Sequence, residues 1–174
     1  MAKLRKMLSD PDAPYIQSLM KLIETQSKTT LVNWAVDYSY QSLLPIWEKH
    51  YPNDSRPQNA LYSARCWLAG AIKLPAAKEA ILDCHAAARD CPNPAAQAAA
   101  RAIAQSASSI HSARHCIGLA FYGALAIAYD KLGESAPWSQ IESAAGEECA
   151  KMEAALISVA VADEPNPAKI NWYC

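Results

Sequence analysis

Two histidines four residues apart, His111 and His115 in IHSARHC, mark the stretch of this chain with the clearest capacity for chemistry. On a helix that spacing puts both imidazoles on one face, within chelating range of one ion. Arg114 stands beside the second histidine, and Arg101 precedes the pair by about three helical turns. A second pair with the same spacing, His85 and Arg89 in HAAAR, lies upstream. Further ahead come Glu48, Asp54 and Arg56 around a proline-rich boundary, then Arg65 on the segment that carries Trp67.

Each chemistry these groups suggest lacks a part. A zinc site needs a third and usually a fourth ligand, which His85, Glu48, Asp54 or Cys84 would have to bring by tertiary contact. The glutamate that accompanies a helical histidine pair in the metalloprotease motif is missing. Cys84 and His85, like His115 and Cys116, adjoin in sequence, and helix neighbours point to different sides. Glu48 and Asp54 form a carboxylate pair of no fixed separation. The expectation is therefore a polar layer between helices: Glu48, Asp54, Arg56, Arg65, His85, Arg89, Arg101, His111 and His115, with arginine forks meeting carboxylates. This reading assigns no catalytic residue, no metal and no cofactor, and it favours binding over catalysis. The alternatives are a small-molecule or metal-dependent enzyme built on the same cluster, and a self-associating helical protein with Trp138 or Trp172 near a dimer axis.

The elements that must carry these groups read as helices. Alanine fills 35 of 174 positions and glycine only 5, a balance that favours helices able to approach closely. Prolines set the rhythm. A first helix is expected from Tyr15 to about Gln26, and a second from Thr30, with Leu31, Trp34, Ala35 and Tyr38 on one side until Pro45 breaks or kinks it near Trp47. In YPNDSRPQ, Asp54 or Ser55 can cap the next helix, and Gln58 completes a capping box with Ser55. That helix turns Ala60, Leu61, Ala64, Trp67 and Leu68 inward and ends near Gly70. Another runs from Pro75 to before Pro92, and Asn93-Pro94 caps the one that follows. Residues 94–129 fit either one long helix or two meeting near Ser106–Ser109. A last helix follows Pro137 to about Val161, and the tail packs Trp172 and Tyr173 back onto the body. Six or seven mostly antiparallel helices in one all-α domain over 1–174 is the architecture these signals give, with residues 1–14 and 163–174 irregular.

Composition narrows the function further. Sixteen basic residues against seventeen acidic ones give no general pull toward nucleic acid. The apolar run Cys116–Tyr129 is too short to span a bilayer, which needs about 20 residues. Six cysteines without a C-x-x-C pair and without a secretory leader fit reduced thiols in the cytoplasm. Charge is uneven along the chain. Residues 92–129 hold two arginines and no acid, whereas 134–164 hold seven acids and one lysine. The acidic residues Glu134, Glu142, Glu147, Glu148 and Glu153 form a candidate partner surface.

Three blocks, LLPIWEKHYPNDSRPQNALYSARCWLAG, AILDCHAAARD and AARAIAQSASSIHSARHCIGLAFYGALAIAY, together resemble the bacterial Imm-5-like immunity proteins of polymorphic toxin systems. The family pattern falls on Glu48, Pro52, Asp54, Arg56, Pro57, Trp67, Gly70, His85, Arg89, Arg101, His111 and His115. Two departures stand out: Ser109-Ile110-His111 replaces a Thr-Ala-His segment, and Gln105-Ser106 replaces Gly-His, removing one imidazole. The resemblance implies an all-helical protein that neutralises a cognate toxin by binding it. The acidic face would then suit a basic toxin.

Overall fold

The structure is a computed structural model and describes residues 4–173. Among the described residues there are eight α-helical segments and no strand: α1 (Pro14–Ile23), α2 (Lys28–Tyr38), α3 (Leu44–His50), α4 (Arg56–Leu68), α5 (Leu74–Asp90), α6 (Pro94–Ser108), α7 (Leu125–Leu132) and α8 (Trp138–Val159). A π-helical turn over Ser39–Leu43 joins α2 to α3 in one rod, and a second over Leu119–Ala124 leads into α7. Counted as rods, this is the all-α multi-helix bundle expected.

Local signals explain most boundaries. Asn93 accepts the Ala96 N–H at 2.9 Å and caps α6, with Pro94 in its first turn. Gly70 at φ +72° closes α4, and the Ala71 N–H returns to the Cys66 carbonyl at 2.9 Å, as a left-handed C-terminal residue permits. The capping box at Ser55 does not form. Asp54 Oδ1 takes the Arg56 N–H instead, at 3.1 Å, because Arg56 already grips that carboxylate. Pro45 does not end its helix. It sits in the first turn of α3, after the wider π-turn in which the Leu44 N–H reaches back to Ser39.

Residues 94–129 form two rods. Ser108 Oγ donates to the Ala104 carbonyl and Ser109 Oγ to that of Ser106, bonds that compete with the helical ladder and let the chain turn. Past the turn, Ala113–Ile117 is a 3-10 segment, so His111 and His115 do not lie on a continuous α-helix. Their rings nevertheless meet, with centroids 5.1 Å apart.

α6 is the axle of the fold. Eleven of its fifteen residues are buried, and only the row Pro94, Gln97, Arg101 and Gln105 reaches toward solvent. Its alanines let α3, α4, α5 and α7 pack against it, and every helix contributes to the main core. A smaller cluster gathers Trp47, Ala87, Ala88, Cys91, Ala96 and Ala100, with Tyr51 stacked on Trp47. The opening segment is irregular but tethered: Leu8 is buried and donates its N–H to the Phe121 carbonyl. At the other end Trp172 Nε1 donates to Glu24 at 2.6 Å, whereas Tyr173, expected to pack back, is 95% exposed.

Candidate functional site

On α5 the period places Lys78, Leu82, His85 and Arg89 in one row, at spacings of four, seven and eleven. The buried row of the same helix is Ala77, Ile81, Cys84 and Ala88, so this polar row borders the core. Beside it runs the only solvent-reaching row of α6, with Arg101 and Gln105. The turn after α6 then adds His111, Arg114 and His115. Electrostatic coupling ties the pieces together. Arg89 and Arg101 act on His85; His111, Arg114 and His85 act on His115; Lys78 and Lys28 act on His111.

The chemistry of this face is cationic. All three imidazoles titrate below the ordinary histidine value, first because burial penalises the charged ring and then because their neighbours are positive. His115 Nδ1 donates to Gln105 Oε1 at 2.8 Å, which leaves Nε2 as the basic nitrogen. Gly118 permits this arrangement: a Cβ there would stand 2.4 Å from Gln105 Cβ. Lys28 holds the turn from the other side, donating to the Ile110 carbonyl at 3.1 Å with its ammonium over the Trp67 ring.

The remaining sequence candidates lie elsewhere, so the single polar layer divides. Arg56 forms a fork with Asp54, at 2.7 Å from Nη2 and 3.0 Å from Nε, and reaches Asp90 at 3.2 Å. This knot staples the start of α4 to the end of α5, and the guanidinium holds the Asp54 carboxyl below its usual range. Arg65 is exposed, paired with Asp37 at 2.7 Å and stacked over Tyr40. It follows the buried Ala64, and one helical residue is about 100° of rotation, which turns it outward. Glu48 is exposed on α3. The acidic surface is also thinner than the sequence suggested. Glu148 is only 5% exposed and is held inside by the Tyr38 hydroxyl at 2.5 Å, with Lys151 at 3.3 Å and Lys131 at 3.6 Å. Glu153 accepts from Ser18. Glu142 is half-buried, and Glu134 and Glu147 are exposed.

Sequence reasoning missed Lys28, Lys78 and Gln105. Lys78 was legible as the residue seven before His85 on the same face; the others depend on tertiary approach. Among the described residues no group of three or more His, Cys, Asp or Glu side chains stands close enough to hold a metal ion, and no helix is long and apolar enough to cross a membrane. Cys84 and Cys116 are buried thiols pushed well above their usual range by desolvation.

Among the described residues, imidazoles and guanidiniums from α5, α6 and the turn thus line one side of this α-helical body. Residues 21–155 match the family model described as "Imm-5 like putative immunity protein", and the chain belongs to that family. Comparison with curated proteins and with solved structures gave no match.

Proposed function

We propose that this chain is an immunity protein that acts in the cytoplasm by binding a cognate toxin and blocking it through a preformed surface. The family match over residues 21–155 carries the reading. Three features of the site support binding over catalysis. Among the described residues the imidazoles face cations and an amide rather than a carboxylate that would orient a general base. The buried thiols are held protonated, the unreactive form of a cysteine. The site residues also stand on helices and a bonded turn, so the surface needs little ordering before it meets a partner.

Two charged surfaces of opposite sign are available to the toxin: the cationic face of α5, α6 and the turn, and the acidic residues Glu134, Glu142 and Glu147. A stable inhibitory interface buries at least about 1,000 Å² in total, so a toxin would cover neighbouring uncharged surface as well as the charged side chains. The test is co-expression with the toxin domain of the same locus. Restored growth together with a stoichiometric complex on size exclusion is the expected result. Restored growth without a complex, or no protection, would overturn the proposal. The mass of the protein alone in the same experiment decides whether it first pairs with itself.

A further inference from the structure

We infer that the plane formed by α5, the Arg101 row of α6 and the 109–117 turn docks an acidic segment of the toxin polypeptide. This rests on the toxin-binding reading above and specifies its contact.

The first support is the way charge is satisfied elsewhere. Arg56 and Arg65 each hold a carboxylate, as do Lys49, Lys131 and Lys151. Among the described residues no such ion pair engages Lys78, Arg89 or Arg101. The chain holds no acid between Asp90 and Asp130, so α6 and the turn bring no negative charge of their own. The acids of α5, Glu79 and Asp83, lie on another flank, where they line a recess with Arg56. Asp90 is bound to Arg56. Among the described residues, then, the carboxylates of the fold are engaged elsewhere, and Lys78, Arg89 and Arg101 are left to solvent or to a partner.

Size and composition choose the occupant. The row from Lys78 to Arg89 spans about 16 Å at the α-helical rise, too long for one small anion and suited to a run of carboxylates. Leu82 sits inside that row and is 65% exposed, an apolar anchor that a protein surface can cover. The exposed tyrosines, Tyr40, Tyr62 and Tyr173, lie outside the row, so base stacking on it would fall to imidazoles and guanidiniums alone. The net charge of −1 also disfavours a polyanion that contacts the whole molecule.

The probe is a synthetic oligoglutamate peptide titrated against the full chain at low salt, with a single-stranded oligonucleotide of matched charge in parallel. Saturable peptide binding is expected, weakened about 10-fold or more in an Arg89→Gln/Arg101→Gln variant and by added salt. Lys6→Gln/Lys21→Gln, which removes the same charge from the opening segment and α1, should bind nearly as the parent does. Amide exchange on the unmodified chain should show peptide protection in residues 78–89 and 109–117, a readout that survives if the double variant misfolds. Absence of saturable binding, protection elsewhere, or tighter binding of the oligonucleotide would overturn the inference. With the toxin in hand, full neutralisation by a folded Arg89→Gln/Arg101→Gln variant would overturn it while leaving the immunity role intact. Failure of the parent chain to neutralise, with oligoglutamate still captured on this face, would remove the immunity role alone.

Discussion

Gly118→Ala is the sharpest perturbation this fold offers. Gly118 has φ −59° and ψ −24°, ordinary right-handed values that alanine adopts freely. On backbone grounds the substitution should stabilise by about 0.4–1 kcal/mol, because the unfolded chain loses freedom. Packing says the reverse. The new Cβ would fall 2.4 Å from Gln105 Cβ and 2.7 Å from its Cγ. A Cβ is fixed to its backbone, so no rotamer change relieves the contact, and the segment after the turn must move away from α6. Overpacking of this kind costs about 1–3 kcal/mol, which exceeds the entropic gain. A net loss of about 1–2 kcal/mol is expected, or a fall in Tm of about 2–8 °C for a chain of this length. Urea unfolding with matched m-values measures it. Gln105→Gly in the Gly118→Ala background should cost less than Gln105→Gly alone, because it removes the colliding atom. A Gly118→Ala protein as stable as the parent, or more so, would refute the close approach.

Other consequences are open to measurement. Tyr38→Phe removes the hydroxyl that donates to Glu148 at 2.5 Å and should destabilise by about 1.5–3 kcal/mol, the range for a hydrogen bond to a charged group; a change below about 0.5 kcal/mol would show that the two lysines suffice. Because His85, His111 and His115 titrate below their ordinary 6.5, the unfolded chain binds more protons than the folded one as pH drops past that value. Their contribution is therefore complete above pH 6.5 and lost on acidification, so urea midpoints should fall below pH 6.5 and less steeply in His85→Gln/His115→Gln; a flat or rising profile would contradict the burial of these rings. Desolvation raises the Cys149 thiol to about 12 and holds Cys84 and Cys116 high as well. In a Cys174→Ser variant an aromatic disulfide reagent at pH 8 should react quickly with Cys66 alone, and fast modification of any of the four buried cysteines, Cys84, Cys91, Cys116 and Cys149, would show that the core opens without unfolding.

What could be read from the sequence was what is encoded within a few residues. Asn93 with Pro94, and Gly70 after α4, announced their helix ends because a cap or a left-handed residue acts locally. His85 and Arg89 share a row of α5 as their spacing implied, whereas His111 and His115 meet through a turn and a 3-10 segment rather than along one α-helix. Choices settled by packing were hidden. At Ser106–Ser109 the sequence fitted either a break or a continuous helix, and two serine hydroxyls, rather than a proline or glycine, turn the chain there. Which turn widens to π geometry depends on what lies across the core. Arg65 and Glu48 were grouped with the histidines by residue type, although the buried faces of their helices leave both outside. Glu148 was the legible exception: it lies seven after Ile141 and four before Met152, in the buried row of α8. Its charge suggested a surface residue, while its position marked it as internal.

The two π-helical turns have a consequence for the ancestry of the chain. They meet beside the axle helix: Ser39, in the first, bonds Ser106 of α6 at 2.8 Å, and Gly123, in the second, packs against Leu43 of the first and Ala102 of α6. A π-turn takes up about one residue more than an α-turn, so each is a place where a single amino acid can be gained or lost without rotating the helices on either side. The same event inside α7 would swing everything beyond it by about 100° and expose its core face. Length variation among relatives should therefore collect at residues 39–43 and 119–124, where the reading frame of the helix tolerates a slip.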